Sequence, residues 1–243
     1  MNLSDKDQQF VSSIYSRYAA GTLKIGKTVW FDFPKKGWER FVFRLRAFFV
    51  RFHATNTKLK ELNDLCQSAL SKVPKVVMVS KPEAYVRRRI LYDKSDFQVL
   101  NSDFQFMVIS RDAFFVSPVA KQLVILHELA HFTGFDLQRK EVLFSYCPET
   151  KIEPWVKQEY LVNYCKEEII AEMTALLIIR QFKALDLICY NETVLEAGMN
   201  YINRYLLMLR KVDPLNEQST LDILSHCLMN AKRARRKIIQ MAA

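Results

Sequence analysis

Apolar residues recur at helical spacing through most of the second half of the chain. The pattern predicts helices over Val119 to Thr133, closed by Gly134, and over about Trp155 to Phe182, opened by Pro154. Two more follow, from Glu192 to Lys211, capped by Asn191 and stopped before Pro214, and from about Asn216 to Gln240. Upstream the period changes. Lys75 to Ser80 (KVVMVS) and Phe104 to Ser110 (FQFMVIS) are short runs rich in β-branched and aromatic residues, and read as strands. The first third reads as irregular and then helical. Gly21 to Gly26 and Phe33 to Gly37 punctuate it, Trp38 to Phe52 reads as one helix, and Lys58 to Lys72 as another behind the Thr55-Asn56-Thr57 cap region. The expected class is α+β, a small β-sheet packed under several helices. It divides into a mixed, mostly helical N-terminal region, residues 1–74, and a domain over 75–243 that ends in a basic helix.

The first helix of that domain carries His127-Glu128-Leu129-Ala130-His131, an HExxH. Imidazoles at i and i+4 project from one helical face and reach one zinc ion, while Glu128 stands a third of a turn away, within reach of a water beside the ion. The helix is apolar nearly all round, through Val119, Leu123, Val124, Ile125, Leu126, Leu129, Ala130 and Phe132. Two His and a Glu buried there need partners, and a divalent cation satisfies all three.

A hydrolytic zinc site takes a third protein ligand. The metzincin pattern HExxHxxGxxH supplies a His ten residues after the first; Gly134 fits that pattern, but position 137 is Leu, and the other histidines, His53 and His226, are remote. The next helix offers Glu167, Glu168 and Glu172. At about 100° per residue, Glu168 and Glu172 share a stripe with Leu161, Cys165, Ala175 and Ile179, whereas Glu167 falls with Asn163 and Thr174 on the polar side. The expected ligands are therefore His127, His131 and Glu168. Glu172, one turn on, is the expected acceptor for the free ring N–H of a ligand His. This E-x-x-x-E spacing resembles the E-x-x-x-D of thermolysin-like gluzincins, with the two roles open to exchange.

HELAHFTG, then YCKEEIIAE about thirty residues on, then NYINRYLLMLRK and a long final helix together resemble the zincin-like metallopeptidase domain of ArdC-type antirestriction proteins and related polyvalent proteins of phages and mobile elements. The resemblance covers roughly Phe104 to Ile239. It implies a zincin-like fold, His127, His131 and Glu168 as zinc ligands, Glu128 as general base, and an origin in a phage, plasmid or other mobile element. Residues 1 to about 100 do not match the single-stranded-DNA-binding domain of ArdC.

The expected activity is zinc-dependent hydrolysis of peptide bonds in a protein substrate, with Glu128 taking the proton of the attacking water. Phe104 to Ser110 is placed where an edge strand could hold an extended peptide through its main chain, with a plain structural strand as the equal alternative. His226, Tyr160 and Tyr164 are candidates for a second donor to the oxyanion. Charge adds an alternative. The 243 residues carry a net charge of +10, and Lys232, Arg233, Arg235, Arg236 and Lys237 crowd one segment near the C-terminus, with Arg40, Arg44, Arg46 and Arg51 forming a second basic group. A nucleic-acid-binding antirestriction protein that uses the zincin fold as a scaffold is the second reading. An intact Glu128 favours the enzyme, because a scaffold needs the ligands and not the base. No apolar run approaches the roughly 20 residues that cross a bilayer, and the start lacks a secretory leader. Five scattered cysteines without a CxxC pair argue against a disulfide framework and for a cytoplasmic protein.

Overall fold

A computed structural model describes residues 3–21, 57–92, 99–115, 117–139, 141, 154–185, 188–189, 192–212 and 214–243. The expected helix over Trp38 to Phe52, the arginine group around it and the Asn191 cap lie outside these residues.

The N-terminal stretch expected to be irregular is a helix, α1 (Asp5–Ala19), with the Asp7 carboxylate accepting from the Ser4 backbone N–H at 3.3 Å. Its composition is polar, and only Val11 and Ile14 are fully buried, so the apolar stripe is narrow enough to escape a reading by hydrophobic runs. The second helix, α2 (Thr57–Leu70), matches its expectation and buries Leu62, Cys66 and Ala69, spaced four and three apart.

A small mixed sheet follows, built from β1 (Val76–Val79), β2 (Ala84–Tyr92) and β3 (Val99–Ser110) in the order β1-β3-β2. β3 runs parallel to β1, with Val76 opposite Met107, and antiparallel to β2, with Ala84 opposite Ile109. The stretch weighed as an edge strand is therefore the centre of the sheet. Strand β2, which the sequence reading missed, takes the edge. Arg87-Arg88-Arg89 interrupts its apolar alternation, and an edge strand tolerates such charge where a central one does not.

Pro118 and the Ser117 side chain, which accepts from the Ala120 N–H at 3.1 Å, start α3 (Pro118–Asp136). The remaining helices are α4 (Pro154–Gln181), α5 (Val194–Val212) and α6 (Glu217–Ala242), with a short hairpin of β4 (Ile188–Cys189) and β5 (Glu192–Thr193) before α5. The start of α5 falls two residues later than expected because Thr193 and Glu196 form a capping box. Glu196 accepts from the Thr193 N–H at 2.9 Å, and the Thr193 hydroxyl accepts from the Glu196 N–H at 3.2 Å.

Helix α4 is enclosed, packing against α3, α5 and α6, and α3 lies between it and strands β2 and β3. Val11, Leu62, Met107, Leu126, Ile170, Ile202 and Leu228 belong to one apolar cluster, so the described parts of residues 1–74 share the core of the rest. The architecture is α+β, mostly helical with a three-stranded mixed sheet. Among the described residues no helix is long and apolar enough to cross a membrane.

Candidate metal centre

One turn apart on α3, His127 and His131 bring their Nε2 atoms to 3.1 Å of each other, with the rings edge to face. Glu168 reaches across from α4, its Oε2 at 3.4 Å from His127 Nε2 and its Oε1 at 3.7 Å from His131 Nε2. The three residues expected as ligands are thus brought together, with ligand atoms all within 4.8 Å of one another.

Each imidazole is backed by a carboxylate. His127 Nδ1 lies 2.9 Å from Glu172 Oε2, the contact expected from the helical phase of α4. His131 Nδ1 lies 2.9 Å from Glu167 Oε1, and this one was not expected. Glu167 is buried, as is Thr174, which the phase argument had put on the same polar side. That argument assumed a solvent face on α4, and the second half of this helix has none because α3, α5 and α6 surround it. Arg139, also buried, donates through Nε to Glu167 Oε2 at 3.0 Å and through Nη2 to Oε1.

These bonds fix what the site can hold. A carboxylate accepts, so each Nδ1 carries its proton and each neutral imidazole turns an Nε2 lone pair inward. Two such lone pairs and a carboxylate at these separations repel unless a cation lies among them. A tetrahedral ion with bonds of about 2.0–2.1 Å separates its ligand atoms by about 3.3 Å. The 3.1 Å between the two Nε2 atoms, and the 3.4 and 3.7 Å from them to the two Glu168 oxygens, lie near that edge. The donor set and its spacing therefore fit a divalent metal.

Without an ion, a proton takes its place. Burial pushes the His127 imidazole down, but hydrogen bonds to Glu168 and Glu172 outweigh it and hold the group well above the usual histidine range. Burial pushes Glu168 up, and the His127 hydrogen bond and the pull of His131 and His127 overcome this, bringing it down to about 2. Near pH 7 the metal-free protein accordingly carries a proton on His127. Stability from that proton is fully present below the unfolded value of about 6.5 and is lost as pH rises through the raised folded value. Metal uptake near neutrality should release it. Calorimetry in buffers of different ionisation enthalpy should show roughly one proton leaving per ion, and affinity rising with pH; an affinity independent of pH between 6 and 8 would contradict this order of events.

Glu128 is buried at the start of a cavity of about 120 Å³, which Ala84, Leu123, His127, Glu172 and Tyr201 also line. Its carboxyl is pushed above the ordinary range by burial, against the pull of His131 and His127, and takes a backbone hydrogen bond from Val86 of β2. Among the described residues its Oε2 has no partner. The hydrogen bond also orients the strand. The Met107 N–H donates to Lys75 O on the β1 side, so Met107 turns away from β2, and its antiparallel partner Val86 turns its own N–H to the edge of β2 opposite β3, where Glu128 accepts from it. That edge runs past the site.

Tyr201 of α5 donates to Glu168 Oε2 at 2.6 Å and stands edge-on to His127. It was missed by sequence reading, although a Tyr on the buried stripe of α5, four residues before Tyr205, needs a partner for its hydroxyl. Of the three candidates for a second donor, Tyr164 lies near Glu168, whose charge adds to burial in raising its phenol. Tyr160 stacks on Tyr164. His226 is half exposed on α6 and bonds to Glu141 Oε1 at 2.6 Å and to Asn230, away from the triad.

Gly198 permits the close packing of α5 on α4 behind His127. A Cβ there would lie 2.9 Å from Glu172 Oε1 and 2.8 Å from Leu176 Cδ2. Gly198→Ala should displace Glu172 or part the helices, costing about 1–3 kcal/mol in denaturant unfolding and weakening metal binding. Wild-type stability and affinity in this variant would mean the approach is not required.

Of the five basic residues of α6, Lys232, Arg235 and Lys237 are partly buried. Lys232 pairs with Asp7 of α1, Lys237 lies 3.4 Å from Asp136 at the end of α3, and Arg233 and Arg236 are exposed. Comparison with known protein families, characterised proteins and solved structures finds no match to this chain.

Proposed function

We propose that the protein is a zinc-dependent peptidase with a zincin-like fold. The observation that carries this reading is the convergence of two Nε2 atoms and the Glu168 carboxylate beside a buried, partly unsatisfied Glu128. The likeness of HELAH and EExxAE to the metallopeptidase domain of ArdC-type proteins supports it, and with it an origin in a mobile element.

Zinc held by His127, His131 and Glu168 would polarise the scissile carbonyl and acidify the attacking water. Glu128 takes the proton of that water and passes it to the leaving nitrogen; its raised pKa suits both steps. Burial keeps the Tyr201 phenol protonated, so it goes on donating to Glu168 Oε2 and holds that carboxylate toward the histidines. An extended peptide added along the edge of β2 opposite β3, beyond the Val86 N–H that Glu128 takes, would be bound through its main chain, with side chains left to set specificity. A cytoplasmic setting belongs to the same reading, supported by three buried, unpaired thiols, Cys66, Cys165 and Cys227. The test is metal content of the purified protein paired with cleavage of an unstructured protein substrate, with and without chelator. Zinc-free protein that cleaves as fast as the loaded form would overturn it.

Nucleic-acid binding is the second reading, favoured by the exposed Arg233 and Arg236 and the net charge of +10. Each phosphate contact contributes about 0.7–0.9 to the slope of log affinity against log salt. With Lys232 and Lys237 in ion pairs, replacing Arg233 and Arg236 by Gln should lower that slope by somewhat under two and leave zinc content unchanged. No binding to single- or double-stranded DNA or RNA at low salt would remove this reading.

A further inference from the structure

We propose that Arg139 is a positioning residue for the metal site, acting through Glu167 to fix the tautomer and orientation of His131. The inference rests on the metal site of the proposed function and adds a residue to it that the HExxH and E-x-x-x-E motifs do not contain.

The chain is folded back to make the contact. After α3 the backbone turns at Gln138, whose φ of 50° is in the left-handed region that a non-glycine residue enters at a cost. The Arg139 N–H then donates to Gly134 O at 3.0 Å, which returns Arg139 beneath the last turns of the helix it has just left. From there Nη2 donates to the Ala130 carbonyl at 2.7 Å, within the HExxH itself, while Nε and Nη2 grip both oxygens of Glu167. Glu167 Oε1, so held, is the atom that meets His131 Nδ1. One guanidinium therefore ties the ligand-bearing turn of α3 to the carboxylate of α4 that orients its second histidine.

Packing alone does not account for Arg139. It is 2% exposed, and among the described residues its Nη1 has no partner, so the cost of burying the charge is only partly offset. Replacing the Arg139–Glu167 pair together by apolar side chains would fill the same space at lower cost, but would leave His131 Nδ1 without an acceptor. Arg139 donors face both carboxylate oxygens, which commits the His131 proton to Nδ1 and leaves Nε2 open to the ion.

The amide variant Glu167→Gln shows what this commitment requires. Whichever position its NH₂ occupies, it faces an Arg139 donor, and at the ε1 position it faces His131 Nδ1 as well. With the NH₂ at ε1, the conflict with His131 is relieved by moving the His131 proton to Nε2, where it blocks the ion.

The test uses the full chain labelled with ¹⁵N, with long-range ¹H–¹⁵N spectra of the histidine rings across a pH series and Co²⁺ titration against a competing chelator. In wild type the neutral His131 ring should be the Nδ1–H tautomer. Arg139→Met should shift it toward Nε2–H and weaken Co²⁺ binding by roughly 10- to 100-fold, with Arg139→Lys restoring part of both. Glu167→Gln should behave as Arg139→Met does, and decides the matter should the Met variant fail to fold. A wild-type tautomer and wild-type Co²⁺ affinity in a folded Arg139→Met or Glu167→Gln protein would overturn the proposal. If wild type shows the Nδ1–H tautomer and the variants lose it, yet no form binds Co²⁺ or Zn²⁺, the positioning role stands and the peptidase reading fails.

Discussion

Glu168→Gln should abolish stoichiometric zinc binding while leaving the metal-free protein folded. The substitution keeps the shape of the side chain and the bond from Tyr201 but removes the charge that faces His127 and His131. An amide oxygen is a poor zinc ligand beside a carboxylate, and two imidazoles alone do not complete a hydrolytic site. The loss should exceed the roughly 10- to 100-fold expected for Glu172→Gln, which only supports His127 from behind. Zinc content after dialysis against a mild chelator reads the difference directly. Melting curves give a second measure, because an ion at 1,000 times its Kd stabilises the native state by about 4 kcal/mol, and Glu168→Gln should show none of that increment. Full zinc occupancy in this variant would exclude Glu168 as a ligand, and loss confined to Glu172→Gln would exchange the two roles.

The centre of this site was legible because its information is local. His127 and His131 share a face by helical spacing alone, and the four-residue interval between Glu168 and Glu172 put both on one side of α4, where one faces the histidines and the other supports His127. Glu167 was lost for a reason that belongs to the tertiary structure. A helical wheel separates core from solvent only when a helix has one wet face, and α4 between three other helices does not. Arg139 was invisible for the complementary reason, since its role depends on a turn at Gln138 and a partner 28 residues away, neither of which leaves a periodic trace. The sheet failed in the same way. β3 was read correctly as a strand, but whether a strand is central or at the edge depends on which others pair with it, and the strand that does, β2, carries three consecutive arginines.

Glu128→Gln should separate metal binding from hydrolysis. Glu128 is not among the three residues that converge on the ion position, so zinc content should match wild type. The amide keeps the volume of the side chain and an oxygen able to accept from Val86, so the edge of β2 should stay where it is. What it cannot do is accept the proton of the attacking water or return one to the leaving nitrogen, and general-base catalysis by a placed carboxylate is worth about 10²- to 10⁴-fold. Cleavage should fall by at least that factor, with substrate binding retained. Stability supplies an independent reading. The wild-type carboxyl is buried with one oxygen unpartnered among the described residues and is pushed above its ordinary range, so as an ion it opposes folding, increasingly as pH rises from its unfolded value through its folded one. The Gln variant carries no such term. Metal-free Glu128→Gln should therefore match or exceed wild type in thermal stability at pH 8, by more than it does at pH 5. A variant that cleaves at the wild-type rate would remove Glu128 from the mechanism, and one that loses zinc along with activity would make it part of the metal site instead.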